Sequence, residues 1–128
     1  MTEKKLNIGE VETVIRINRG TVGRVGEVLK RLAAKGGRVC LVTDETVQEL
    51  YGEKARASFG EENRRLSTFV LVPGEASKSL AAVQELYEHL SQQTLGRDGL
   101  IVALGGGVVS DLAGFAAATW MRGIRWVI

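Results

Sequence analysis

Short apolar runs alternate with helical patterns through most of this chain, and that alternation constrains its fold more than any other feature. Residues 39–42, 69–72 and 100–104 are continuously apolar, as in strands buried on both faces of a sheet. Between these runs, apolar residues recur at three- and four-residue spacing, as in amphipathic helices. Strands that alternate with helices are joined by right-handed crossovers. The pattern therefore predicts an α/β fold with a doubly wound, mostly parallel sheet.

The boundaries of the predicted elements follow from glycines, prolines and capping residues. Asp44 and Ser79 are suited to cap helices, and Gly36 and Gly37 end one. The helix that starts at Val108 is apolar nearly all round, so we expect it to be buried. The predicted strands cover residues 11–17, 38–43, 67–72, 100–104 and 126–128, and the predicted helices cover 22–32, 45–53, 80–90 and 108–121.

The 128 residues match one domain, and the way the last strand ends bears on whether that domain is complete. Residues 126–128 start an apolar run typical of a buried parallel strand, which a helix usually follows and covers. Natural domain ends tend to fall in exposed, weakly packed segments. We therefore expect one domain over residues 1–128 that is incomplete at its C-terminal end. The alternative is a short edge strand that needs no cover.

Composition argues against several classes of protein. The net charge is +2, from 17 basic and 15 acidic side chains that are mixed along the chain, which argues against nucleic-acid binding. The polar N-terminus lacks the apolar core of a signal peptide. Three glycines and Asp111 interrupt the longest apolar stretch, so we expect no membrane span. The single cysteine, Cys40, lies within an apolar run, which predicts a core thiol and favours the cytoplasm.

A glycine-rich turn is the strongest chemical signal. Gly105, Gly106 and Gly107 follow a predicted buried strand and precede a predicted helix. Glycines let the backbone turn sharply and approach a ligand, and the N–H groups of a helix N-terminus suit a pyrophosphate. The alternative is a plain tight turn, with Asp111 stabilising the first helical turn. The segment does not match the G-x-G-x-x-G dinucleotide-binding motif.

Two further polar turns follow predicted strands and so lie at the same carboxyl edge of a parallel sheet, where ligands bind in open α/β folds. Glu75 and Lys78, within residues 73–79, are suited to ribose hydroxyls and to phosphate, although alone they resemble a solvated turn. Asp44 follows the strand at 38–43, where a helix cap is the alternative role. Three polar turns on one edge favour a ligand site more than any one turn does.

Arg122 and His89 are charged or titratable residues outside these three turns. Arg122 is eleven positions after Asp111, so on an unbroken helix the two share a face but stand roughly 16 Å apart. Arg122 is therefore expected to serve something else, such as a neighbouring subunit, or to stabilise the last helical turn. His89 is the only histidine, and one histidine cannot form a multi-histidine metal site. We expect His89 on a helix surface and assign no catalytic residue and no metal ligand in this chain.

Residues 73–79 (Pro-Gly-Glu-Ala-Ser-Lys-Ser) and 105–124, with weaker support from Val42-Thr43-Asp44, resemble the 3-dehydroquinate synthase family. The resemblance implies a Rossmann-like N-terminal domain of a lyase that holds NAD and a divalent metal, zinc or cobalt. Such enzymes convert the seven-carbon phosphate DAHP to 3-dehydroquinate, with loss of phosphate, in the shikimate pathway. Ser110 departs from the glycine that is frequent in the family at that position.

The resemblance also implies roles for individual residues. Arg122 would reach the substrate phosphate of a partner subunit in a homodimer. The metal ligands, a glutamate and two histidines, would lie in a helical second domain that is absent from this chain, so the chain alone is expected to be inactive. The implied NAD contacts are Asp44, Glu75, Lys78, Gly106, Gly107, Val108 and Asp111.

Three alternative functions stay open. One is a related cyclase that makes cyclitols from sugar phosphates. Another is an iron-type polyol dehydrogenase, a class that shares a glycine-rich turn followed by an aspartate. Ala113-Gly114-Phe115, together with Arg122-Gly123, favours the dehydroquinate branch. A nucleotide-binding module without catalysis is the third alternative.

Overall fold

An antiparallel hairpin of β1 (Thr2–Ile8) and β2 (Val11–Ile17) opens the computed structural model, which describes residues 2–33 and 35–128, with residues 63 and 64 described for the backbone only. One face of the hairpin carries apolar side chains such as Ile8 and Val11, which are exposed. The other face carries ion pairs, including Arg16–Glu3 at 2.7 Å. The strand predicted at 11–17 is confirmed, whereas β1 was not predicted.

A separate four-stranded sheet forms the centre of the fold. It contains β3 (Val39–Asp44), β4 (Leu66–Leu71), β5 (Leu100–Leu104) and β6 (Arg125–Val127), in the order β4-β3-β5-β6, and every pairing is parallel. The predicted parallel sheet is thus confirmed, with strand ends within two residues of the predicted ones. The last strand was expected to be buried. Within the described residues β6 lies at one edge of the sheet, where Arg125 and Trp126 are exposed, and its burial stays a prediction.

In the described part of the chain, five α-helices and several short turns of other helix types connect the strands. A 3-10 turn at Thr21–Arg24 leads into α1, and further 3-10 turns cover Gly60–Arg65, Glu75–Ser77 and Trp120–Arg122. A π-helical turn, Gln48–Gly52, joins α2 to α3. The α-helices are α1 (Val25–Leu32), α2 (Glu45–Val47), α3 (Glu53–Ser58), α4 (Leu80–Gln92) and α5 (Gly107–Thr119).

The core lies on both faces of the sheet, which makes the fold doubly wound as predicted. Cys40 and Val42 of β3 are fully buried in the cluster that includes α4 and α5. The alternate residues Val39 and Leu41 pack in a second cluster, with Leu29 of α1 and with Phe59. This alternation follows from the two-residue period of a strand, and burying one such aliphatic side chain contributes about 1.5–3 kcal/mol.

Cys40 confirms the prediction of a core thiol. Its side chain is fully buried, and that burial raises the pKa of the thiol to about 12. Because the thiolate is the reactive form, the thiol is unreactive at neutral pH.

Two helix ends differ from the sequence prediction. The helical segment capped by Asp44 was expected to end near residue 53, but the π-helical turn continues it into α3, as far as Ser58. The helix predicted to reach residue 121 ends at Thr119, and Met121 has a left-handed φ of 51°. The unbroken helix assumed between Asp111 and Arg122 is therefore wrong.

The prediction that His89 lies on the helix surface is also wrong. The residue is half-buried on α4, with its ring 5.5 Å from that of Phe69, and its Nε2 is buried without a hydrogen-bond partner among the described residues. Burial disfavours the charged imidazolium, so it lowers the pKa of His89 below the ordinary value of 6.5.

His89 should therefore make stability depend on pH. Because the pKa is lower in the folded state, the unfolded chain binds the proton more readily, and stability should fall as the pH drops from about 7 towards 5. Urea unfolding across that range measures the effect, and His89→Gln should reduce the slope. A slope unchanged in His89→Gln would show that other groups cause the dependence.

Among residues 2–33 and 35–128, no helix is long and apolar enough to cross a membrane.

Candidate functional site

Three polar turns meet at the carboxyl edge of the sheet, as the sequence predicted. They follow β3, β4 and β5, which are adjacent in the sheet. The hydroxyl of Thr43 donates a hydrogen bond of 2.7 Å to the carbonyl of Leu104, which ties the ends of β3 and β5 together. The relative position of the turns after β3 and β5 is therefore fixed by a hydrogen bond of the buried Thr43.

Two glycines of the glycine turn, Gly106 and Gly107, have open space in the direction in which a side chain would point. Gly106 has an extended conformation, and neither it nor Gly107 has a positive φ, so backbone conformation does not require glycine at these positions. A Cβ built on either residue would meet no atom within 4 Å. At Gly105, by contrast, a Cβ would lie 2.7 Å from Cγ2 of Val109. Packing thus explains Gly105, whereas Gly106 and Gly107 leave room for a ligand.

The first turn of α5 offers unpaired N–H groups beside this space. Its first intrahelical bond is donated by the N–H of Ser110 to the carbonyl of Gly106, at 3.0 Å, and no side chain caps the helix. The N–H groups ahead of it, including that of Val108, have no intrahelical acceptor. The hydroxyl of Ser110 also donates a hydrogen bond of 2.9 Å to the carbonyl of Gly106. Serine in place of the family's frequent glycine at position 110 is therefore compatible with this turn. Such a terminus attracts anions.

An ion pair joins two of the predicted site residues. Nζ of Lys78 lies 2.6 Å from Oδ2 of Asp111, which links the residue just before the cap of α4 to the second turn of α5. The hydrogen bond to Asp111 raises the pKa of Lys78, and the charges of Asp111 and Glu75 raise it further. Both side chains are about half exposed, and exposed pairs of this kind contribute little to stability. The sequence did not predict this contact.

An open cleft of about 330 Å³ adjoins the ion pair. Its polar wall includes Lys78 and Asp111, and its apolar wall includes Leu80 and Phe115. These two apolar side chains are 77% and 49% exposed, so the cleft has an apolar surface that this chain does not cover.

Asp44 and Glu75 lie on the same edge but are less closely tied to the glycine turn. Asp44 is a helix cap, because its Oδ1 accepts a hydrogen bond of 2.8 Å from the N–H of Val47. The alternative role of Asp44 is thus confirmed, and its ligand contact stays a prediction. Glu75 begins a 3-10 turn and is exposed.

Arg122 lies apart from this edge, beyond the other end of α5. Its side chain is exposed and makes no ion pair or hydrogen bond with any side chain that the structure describes. Sequence reasoning missed the neighbouring Trp120, whose indole N–H donates to the carbonyl of Leu95 at 2.8 Å. Its ring also stacks on Tyr87, at 5.7 Å between centroids. An aromatic residue at the end of an apolar helix was the available signal.

Within the described ranges, no group of three or more His, Cys, Asp or Glu side chains is placed to hold a metal ion.

Sequence comparisons place these features in a known family. Residues 68–128 match the family model described as 3-dehydroquinate synthase N-terminal. A 3-dehydroquinate synthase of Pelobacter propionicus is 42% identical over 99% of this chain and 35% of its own length. This chain belongs to the 3-dehydroquinate synthase family. A synthase of Streptococcus pneumoniae is 44% identical over 88% of this chain and 32% of its own length. The chain thus spans about a third of the length of these curated 3-dehydroquinate synthases.

Solved structures share the fold. A 2-deoxy-scyllo-inosose synthase, solved with carbaglucose-6-phosphate, NAD⁺ and Co²⁺, matches with a TM-score of 0.82 and 23% identity, over 99% of this chain and 34% of that one. A 2-epi-5-epi-valiolone synthase from Streptomyces hygroscopicus, with NAD⁺ and Zn²⁺ bound, matches with a TM-score of 0.65 and 27% identity. That match covers 77% of this chain and 27% of the other. The first match, below 25% identity, concerns the fold alone.

Proposed function

We propose that this chain is the NAD-binding N-terminal domain, residues 1–128, of a 3-dehydroquinate synthase, a lyase that converts DAHP to 3-dehydroquinate with loss of phosphate. The observation that carries the proposal is the open space at Gly106 and Gly107, next to the unpaired N–H groups of α5. Neither backbone conformation nor packing explains these two glycines, whereas a closely approaching pyrophosphate does.

Each predicted residue has a role in this proposal. Backbone N–H groups of Gly106, Gly107 and Val108 would hold the pyrophosphate, with the ammonium of Lys78 nearby. That ammonium also offsets the charge of Asp111, which otherwise would repel an anion at the same turn. Carboxylates of the kind at Asp44, Glu75 and Asp111 accept hydrogen bonds from ribose hydroxyls. When bound, NAD would supply a hydride acceptor for a substrate hydroxyl.

The rest of the proposed enzyme lies outside these residues. The side chains described here do not form a metal site, so the zinc or cobalt ion would be held by a helical second domain outside this chain. We further propose a homodimer in which Arg122 reaches the substrate phosphate bound by the partner subunit. The Arg122 side chain supports that role, because it is exposed and has no ion-pair partner in the part of the chain that the structure describes. A place in the shikimate pathway follows from the proposed reaction. The cytoplasmic location stays a prediction from the single buried cysteine.

The test is phosphate release from DAHP. The reading frame is first sequenced beyond Ile128, and the complete protein is purified and assayed with NAD and with zinc or cobalt. We expect metal-dependent release of phosphate that chelation abolishes, and no release from the 128 residues alone. A complete protein that binds NAD but leaves DAHP unchanged would contradict the proposed substrate. Turnover by the 128 residues alone would contradict the two-domain division.

A second candidate is a related sugar-phosphate cyclase. It is favoured by the match to the valiolone synthase, at 27% identity. Assaying the complete protein with DAHP and with heptulose phosphates in parallel separates the two, because each cyclase should favour its own substrate. Glycerol oxidation would instead indicate a polyol dehydrogenase.

A further inference from the structure

Two consecutive residues after α5 have backbone conformations that are unfavourable for them. Met121 and Arg122 have φ values of 51° and 66°, in the left-handed region that glycine adopts readily. For other residues this conformation costs roughly 1–2 kcal/mol each. The segment therefore keeps its shape only because neighbouring contacts impose it.

Trp120 provides the main contacts on one side of this pair. Its indole N–H is bonded to the carbonyl of Leu95, and its ring stacks on Tyr87. The hydroxyl of Tyr87 in turn contacts the hydroxyl of Thr119, the last residue of α5. The residue ahead of the strained pair is thus attached both to α4 and to the loop that follows it.

Backbone hydrogen bonds fix the other side. The N–H of Gly123 donates to the carbonyl of Trp120, and that of Ile124 donates to the carbonyl of Ala117, both at 2.8 Å. Met121 and Arg122 are therefore held between two anchored points. A loop held in this way fixes the direction in which the Cα–Cβ bonds of these two residues leave the backbone.

The Arg122 side chain on this loop is a cation with no ion-pair or hydrogen-bond partner among the described residues. The guanidinium of Arg122 is exposed and unpaired within the described part of the chain, whereas several other surface arginines, such as Arg16 and Arg24, are ion-paired. A guanidinium is suited to bidentate binding of a phosphate, whose geometry its planar fork matches, and the constrained backbone limits the directions from which this one can approach.

We infer that Trp120 is a positioning residue that holds Met121 and Arg122 left-handed and so sets the direction in which the Arg122 side chain leaves the backbone, towards the substrate phosphate. This inference rests on the proposed function, in which Arg122 binds that phosphate. Trp120 itself does not touch the substrate in this arrangement. Its effect on substrate binding passes through Arg122.

The experiment is a double-mutant cycle in the complete enzyme. Trp120→Phe keeps an aromatic ring at the stacking position but removes the N–H donor to Leu95. We expect it to raise the KM for DAHP about tenfold, with kcat changed less than about threefold, because a misdirected guanidinium weakens phosphate binding. In an Arg122→Ala background the same change should raise the KM less than about twofold, because the two residues act as one unit. NAD affinity should stay unchanged throughout.

Two further variants keep the test decisive. Trp126→Phe is the matched control, because Trp126 is the other tryptophan and lies on the edge strand β6; its KM should stay unchanged. Met121→Val introduces a β-branched side chain, which disfavours a left-handed backbone, at an exposed position that leaves the Trp120 contacts intact. It should raise the KM as Trp120→Phe does, and it replaces that variant if Trp120→Phe does not fold.

The possible outcomes separate the inference from the function on which it rests. If Arg122→Ala leaves the KM unchanged, Arg122 does not bind the substrate phosphate, and both ideas fall. If Arg122→Ala raises the KM but neither Trp120→Phe nor Met121→Val does, the positioning role alone is wrong. If Trp120→Phe raises the KM equally in both backgrounds, Trp120 acts independently of Arg122, which also overturns the inference.

Discussion

Gly106→Val is expected to lower the affinity for NAD at least about 100-fold while the free energy of unfolding stays within about 0.5 kcal/mol of the parent value. Valine adopts the extended conformation of Gly106 without strain, and a Cβ there meets no protein atom within 4 Å. The added isopropyl group would instead occupy the space proposed for the pyrophosphate. Calorimetric titration with NAD and urea unfolding of the same preparations measure the two quantities.

Gly105→Ala is the matched control in the same turn. Its new methyl group would lie 2.7 Å from Cγ2 of Val109, so we expect a loss of about 1–3 kcal/mol in the free energy of unfolding. The two variants therefore separate a glycine needed for packing from one needed for a ligand. Normal NAD binding by Gly106→Val would show that the cofactor does not approach this turn.

Gly26→Ala is expected to destabilise the fold by about 3 kcal/mol or more, the upper end for added volume in a packed interior. The new Cβ would lie 1.8 Å from the carbonyl oxygen of Ser58 and 3.0 Å from Cα of Phe59. Both are backbone atoms, so α1 and α3 would have to separate. The N–H of Gly26 would then also lose the 3.0 Å hydrogen bond that it donates to Oγ of Ser58. Urea unfolding monitored by circular dichroism measures the loss.

Gly23→Ala provides the comparison in the preceding turn. Its Cβ would meet Cε of Lys54 at 3.1 Å, the flexible end of a side chain that can move away. We expect a change of less than about 0.5 kcal/mol. Equal stability of the Gly26 and Gly23 variants would mean that α1 and α3 are not packed as closely as the structure has them.

The central strands were predictable because burial on both faces leaves a continuous apolar run, as in Leu100–Leu104. β1 was not, because Glu3, Lys4 and Lys5 interrupt its alternation and none of its residues is buried. The left-handed pair after α5 carried no glycine signal at Met121 or Arg122. Tertiary contacts impose that conformation, and tertiary contacts have no local pattern.

The candidate site shows the same division. The turns at Asp44, at residues 73–79 and at residues 105–107 were predictable, because each comes directly after an apolar run and parallel strands end at one edge. The pairing of Lys78 with Asp111 was not, because residues 33 positions apart meet only after α4 and α5 have packed together. The open space at Gly106 was likewise not predictable, because it depends on how the folded chain packs around the turn.

The strand order β4-β3-β5-β6 means that the chain changes direction at the centre of the sheet. From β3 it leaves towards β4 through α2 and α3, whereas from β5 it leaves towards β6 through α5, on the opposite face. Two neighbouring strands thus send their connections apart, and a crevice opens between them without any dedicated loop. A molecule bound in that crevice would contact segments from both layers, so residues from both helical layers can contribute to one binding site.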